Sequence, residues 1–118
     1  MSINRVREFM RERGMEDRVL EFDVSSATVE LAAQAVGCEP ARIAKTMSFL
    51  TGDGPVLVVT AGDQKVDNSK FKHFFGMKAK MPKGEDVEKL TGHAIGGVCP
   101  FANPPHTEVY LDESMKRF

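Results

Sequence analysis

Tryptophan is absent from this 118-residue chain and tyrosine occurs once, so aromatic packing falls to eight phenylalanines. Cysteine occurs only at Cys38 and Cys99, far apart and in no paired spacing, which gives no disulfide framework. No stretch approaches the roughly eighteen apolar residues of a membrane span. The N-terminus opens polar and charged rather than on an apolar signal segment. A cytoplasmic protein with reduced thiols and no membrane partner is expected. Neither charge sign dominates: the net charge of −1 excludes a generally basic nucleic-acid binder, DNA-binding proteins included, but leaves room for a local basic patch. Repeats, low-complexity segments and linkers are also missing. With 42% apolar and 28% charged residues, the chain reads as one globular domain over 1–118.

What is there is concentrated near the end. The run Thr91-Gly92-His93-Ala94-Ile95-Gly96-Gly97-Val98-Cys99-Pro100-Phe101 carries three glycines and a proline between Gly92 and Phe101. Neither a helix nor an ordinary strand wants that composition. Glycine reaches backbone angles closed to other residues, and proline fixes the exit. Such a run can turn consecutive backbone N–H groups toward one place and hold negative charge there. It can equally be a surface turn. A Walker-type phosphate loop is excluded because no Gly-Lys-Ser/Thr follows, and the dinucleotide spacing is absent.

A second oddity is Lys45, inside the strand-like stretch Ile43–Leu50. Period-2 alternation puts it on one face with Ile43, Met47 and Phe49. An ammonium there is costly unless it meets a partner or ligand. The alternatives are a charge that guards a sheet edge and a side chain that snorkels to water. With the amide-rich loop, it suggests an anionic or ester-like ligand. Cys99 and His93 invite a nucleophile–base reading, but no third member stands at a recognisable spacing; a small packed cysteine is the simpler account. A zinc site from His93, Cys99 and His106 fits no metal motif, so neither metal nor cofactor is expected. Between Lys65 and Lys83 stand six lysines (Lys65, Lys70, Lys72, Lys78, Lys80, Lys83) against Asp67 alone, a local charge of +5. That stripe is either a phosphate-binding surface or a solvated face.

Around these features the chain punctuates itself. Ser2 can cap a helix with Ile3, Val6, Phe9 and Met10 inward and Gly14 as its stop; Arg5, Arg7 and their charged neighbours read as solvated surface. Arg18–Asp23 alternates weakly, as a short strand would. Thr28 caps a second helix with Val29, Ala32, Ala33 and Val36 inward and Gly37 as its stop. Ile43–Leu50 and Val56–Thr60 flank the turn Gly52–Pro55 as a hairpin. Asp67 or Ser69 opens a helix bearing Phe71, Phe74 and Phe75, closed by Gly76. Lys78–Met81 reads as extended. Pro82 opens a last helix that ends at Gly92, and Thr107–Leu111 is a final strand. The order favours α+β with a mixed sheet.

Together these residues resemble the YbaK-like aminoacyl-tRNA editing domain, a module related to the insertion domain of bacterial prolyl-tRNA synthetase. Ala44-Lys45-Thr46, the strand end Val59–Asp63 with Asp67 and Lys70 beyond it, and Thr91–His93 followed by Gly96–Phe101 carry the resemblance. It implies a curved, barrel-like mixed sheet flanked by short helices. It also implies a metal-independent deacylase that hydrolyses the ester of a mischarged tRNA, a small amino acid on proline tRNA, with a synthetase as a further partner. On that basis Lys45 and the loop Gly96, Gly97, Val98, Cys99 and Pro100 are the candidate catalytic residues. Phe22, Thr46, Met47, Asp63, His93 and Phe101 are the candidate substrate contacts, and Lys65, Lys70, Lys72, Lys78 and Lys80 the candidate tRNA contacts. Cys99 stands where many relatives have serine. Relatives usually continue through another strand pair, so this chain is expected to lack that C-terminal segment. A non-catalytic aminoacyl-end binding module and a hydrolase of some other small ester or thioester are the competing readings.

Overall fold

The computed structural model describes residues 2–118, the side chain of Ser2 excepted, so the expected Ser2 cap lies outside the described residues. Among the described residues four α-helices, α1 (Ser2–Arg11), α2 (Val29–Val36), α3 (Asn68–Phe75) and α4 (Gly84–Thr91), accompany three strands, β1 (Ala44–Thr51), β2 (Gly54–Ala61) and β3 (Glu108–Leu111). The fold is α+β.

β1 and β2 form the expected antiparallel hairpin, with Lys45 opposite Thr60 and Thr51 opposite Gly54. β3 joins the other edge of β2 in parallel, Val56 opposite Glu108 and Val59 opposite Leu111. The order is β1-β2-β3. The sheet is mixed, as expected, but among the described residues its three strands stay open and do not close into a barrel. β2 is central and buried on both faces: Val56, Leu57 and Val59 are all at most 4% exposed. That is why it reads as a continuous apolar run rather than an alternating one.

The core on one face joins Phe49 and Val56 to Phe71 of α3, with Met47, Val58, Phe75 and Tyr110 packed around them. The rings of Phe49 and Phe71 lie 4.8 Å apart, and those of Phe71 and Phe75 4.4 Å. Such pairs add about 0.5–1.5 kcal/mol beyond the area they bury.

The helix ends follow their punctuation. The Thr28 hydroxyl accepts from Leu31 N–H at 3.2 Å and the Asp67 carboxylate from Lys70 N–H at 2.9 Å. Gly37, Gly76 and Gly92 close α2, α3 and α4 in the left-handed region. Gly62, just past β2, meets a different demand: a Cβ there would stand 2.1 Å from the Pro40 carbonyl oxygen, so only glycine lets the turn before β1 pack against the end of β2.

Four local expectations change. Arg18–Asp23 is not a strand: a 3-10 turn ends at Arg18, Val19 is half-buried and Leu20–Asp23 are exposed, with no ladder to join among the described residues. Lys78–Met81 carries no strand either, though the Lys80 carbonyl accepts from Leu50 N–H at 2.7 Å. α4 begins at Gly84 with Lys83 as its cap, two residues later than Pro82 suggests. Val36 is 52% exposed rather than inward, because it sits in the last turn of α2.

A cavity between a strand lysine and a glycine-rich loop

The first half of β1 and the glycine-rich loop face each other across a cavity of about 500 Å³. Ile43 to Ser48 supply one wall, Ser26 to Val29 and Ala32 at the start of α2 a second, and Met81, Pro82, Gly84 and Val87 a third; Ile95, Gly96 and Val98 close it. The volume lies within the roughly 300–1,000 Å³ of small-molecule sites. Among the lining residues Lys45, Ser26, Thr28, Thr46 and Ser48 carry polar side chains, and Gly96 and Val98 belong to the loop.

Lys45 is half-buried and its ammonium donates to the Gln64 carbonyl. It is not paired with a carboxylate among the described residues. An ammonium carries three donors, so two remain for a ligand. β1 is an edge strand, and the Lys45 side chain is bent onto the loop after β2.

One turn of the loop is closed by its own backbone. Gly97 N–H closes a turn onto Ala94 O at 2.9 Å. Gly96 has φ 87, and a Cβ there would press on the Ala27 methyl at 3.3 Å. Among the described residues, the N–H groups of Gly96, Val98 and Cys99 reach no backbone acceptor. Gly96 and Val98 are on the cavity wall. Gly97, whose N–H is already used, is not on it.

His93 is fully buried and supports the loop from behind. Its Nε2 lies 2.7 Å from the Phe101 carbonyl, so Nε2 carries the proton. The Cys99 Sγ is 3.5 Å from the same nitrogen, which is therefore no base for the thiol. Burial pushes the Cys99 thiol above its ordinary range. Both facts disfavour a thiolate nucleophile. His106 lines a separate cleft beside Thr51–Val56, away from this pair.

Of the remaining candidates, Thr46 and Met47 line the cavity; Phe22, Asp63, Pro100 and Phe101 do not. Phe22 is exposed, and Phe101 packs on Phe9 at 5.9 Å. Asp63 is taken by Arg117 at 2.6 Å, which holds its carboxyl below the usual range. Lys65, Lys70, Lys72, Lys78, Lys80 and Lys83 are all exposed, and among the described residues none joins an ion pair. Lys72 and Lys78 line a shallow cleft with Asn68, Ser69 and Ala79.

Residues 23–118 match the model of the aminoacyl-tRNA editing domain. The chain belongs to that family. Among relatives, an uncharacterized protein of Bacillus subtilis, YwhH, is 50% identical over the whole chain and 76% of its own length. Proline–tRNA ligase of Caldicellulosiruptor bescii is 33% identical over 75% of the chain, which spans only 15% of that enzyme. Among solved structures, one described as a candidate trans-editing enzyme for prolyl tRNA synthetase superposes with a TM-score of 0.87 at 34% identity, covering 98% of this chain and 74% of that one. A hypothetical protein, APE2540, gives 0.79 at 29% identity, covering 92% and 73%. This editing domain is thus related to prolyl-tRNA synthetase and to the trans-editing proteins associated with it. No helix among the described residues is long and apolar enough to cross a membrane.

Proposed function

We propose that this editing domain is an aminoacyl-tRNA deacylase that clears a small, wrong amino acid from tRNA, with proline tRNA as the carrier. One observation carries the reading: Lys45, Gly96 and Val98 line one cavity, and among the described residues the Gly96 and Val98 N–H groups have no backbone acceptor. Ester hydrolysis adds water to the carbonyl carbon and drives charge onto its oxygen. The C–O bond to the terminal ribose then breaks; the ribose leaves as a hydroxyl and the amino acid as a carboxylate. Amides of Gly96 and Val98 take the developing oxyanion, and one such donor is typically worth about 10²–10³ in rate. Lys45, steadied by Gln64, holds the ester end or the adjacent ribose–phosphate in register. Water is the nucleophile, since burial raises the Cys99 thiol and the neighbouring His93 Nε2 is engaged with the Phe101 carbonyl.

Thr46, Met47 and the aliphatic walls set the size of the aminoacyl group admitted. Steric sieving of this kind separates substrates by about 1–3 kcal/mol per methylene. The unpaired lysines from Lys65 to Lys80 hold the acceptor end through its phosphates.

The decisive test is a deacylation panel: proline tRNA charged with alanine, cysteine, serine, threonine or proline, incubated with catalytic amounts of protein. Multiple turnovers on a small non-cognate ester, with prolyl-tRNA spared, is the expected result. Binding without turnover overturns the deacylase reading in favour of a recognition module. Equal turnover of free amino-acid esters overturns it in favour of a small-ester hydrolase.

A further inference from the structure

The glycine-rich loop is stapled at its base by two side chains that lie outside the cavity. Arg5 of α1 sends Nη1 to the Gly92 carbonyl at 2.9 Å and Nη2 to the Ala102 carbonyl at 3.2 Å. One guanidinium thus joins the two ends of the loop. Asn103 sends both donors of its amide to the Thr91 carbonyl at 2.8 Å and the Cys99 carbonyl at 3.0 Å. The fit is close: a Cβ on Gly92, which has φ 84, would stand 2.9 Å from Arg5 Nη2. Phe9, one turn after Arg5, packs on Phe101 at the loop exit. α1 precedes residues 23–118, the span matched by the editing-domain model.

We propose that Arg5 and Asn103 are positioning residues, and that α1, which precedes the span matched by the editing-domain model, is a clamp that holds the loop amides in place for reaction. The proposal rests on the deacylase reading for its kinetic consequence but not for its structural one. The loop has no regular ladder to keep its shape. Four carbonyls tied to two rigid forks replace that ladder, and the stretch between them, closed by the single backbone turn of Gly97 onto Ala94, carries Gly96 and Val98. A misplacement of about 1 Å at a reacting centre can cost about a hundredfold. Neither side chain lines the cavity, so substrate binding should be spared.

Arg5→Met and Asn103→Ala test this in the full chain, with Arg5→Lys as the conservative variant. On the mischarged tRNA that the wild type turns over, kcat should fall about tenfold to hundredfold while KM moves less than twofold. Arg5→Lys, a single point donor, should fall between. Independently of activity, ¹⁵N relaxation should show the Gly96–Cys99 amides dropping from rigid order parameters toward about 0.6, with the β1–β2 amides unchanged. Unchanged kcat and unchanged loop order in Arg5→Met overturn the clamp. So does a loss confined to KM. If Asn103→Ala fails to fold, Arg5→Met, whose side chain is exposed, decides. A wild type that turns over no mischarged tRNA defeats the deacylase reading instead, and the relaxation arm still decides the clamp.

Discussion

The two walls of the cavity are held in opposite ways. The Lys45 wall is a strand: it is fixed by a backbone ladder to β2 and by a face of phenylalanines. The Gly96–Val98 wall has no ladder, and it is fixed by side chains reaching backbone carbonyls from Arg5, His93 and Asn103. The first design gives global stability with a side chain aimed from a rigid base. The second frees backbone N–H groups, which a sheet would have consumed, for a ligand. A chain that must offer amides cannot also spend them on regular structure.

That contrast can be broken first at its chemical end. Lys45→Met should lower deacylation by a hundredfold or more while thermal unfolding stays cooperative, measured by tRNA deacylation and circular dichroism on one preparation. Activity within threefold of wild type would remove the ammonium from the mechanism. The mirror-image variant is Leu57→Ala. Leu57 is fully buried in the central strand, so truncation should cost about 2–5 kcal/mol of unfolding free energy in denaturant titration. Its kcat should hold near wild type at low temperature, where the fold persists. A loss of kcat without a loss of stability would mean the hairpin is not merely a base for Lys45.

A smaller effect should separate the exposed lysines from both walls. Neutralising Lys70, Lys72 and Lys78 together should weaken tRNA binding and flatten the slope of log K against log salt by about two to three. Deacylation at saturating tRNA should persist. A slope that does not move would make the stripe a solvated face.

The same division governs what the sequence discloses. The strand wall was legible because its signals are local: Gly52–Pro55 punctuates the hairpin, alternation isolates Lys45, and Thr28, Asp67 and three glycines mark helix ends one turn away. The loop was legible only as a composition. What shapes it comes from 87 and 97 residues away through Arg5, which reads as solvated surface by charge alone. A signal was available: Arg5 stands four residues before the inward Phe9, at the border of the apolar face rather than opposite it. Asn103 is similarly hidden, because a side chain bonding backbone leaves no pattern in the residues it bonds. Arg18–Asp23 failed for the complementary reason. Its alternation is real, but a strand exists only with a neighbour, and the edge of β2 goes to β3. The parallel pairing of β3 was equally out of reach, since element order does not encode direction.

The smallest expected effect falls where the two walls were easiest to confuse, at Cys99. A cysteine 3.5 Å from a histidine nitrogen looks like a nucleophile and its base. The proton on Nε2 is committed to the Phe101 carbonyl, and burial favours the neutral thiol. Cys99→Ser should therefore keep deacylation within a few-fold, and iodoacetamide should label Cys99 slowly at neutral pH, faster only above the ordinary thiol range. The linkage has a matching sign. A thiol whose folded pKa is raised adds stability that is present at neutral pH and is lost as pH rises through the ordinary thiol range toward the folded value. Cys99→Ser should remove that alkaline sag and leave the neutral-pH midpoint nearly fixed. A hundredfold loss of activity in Cys99→Ser, with rapid labelling at pH 7, would shift the chemistry from the amides of the loop to its sulfur.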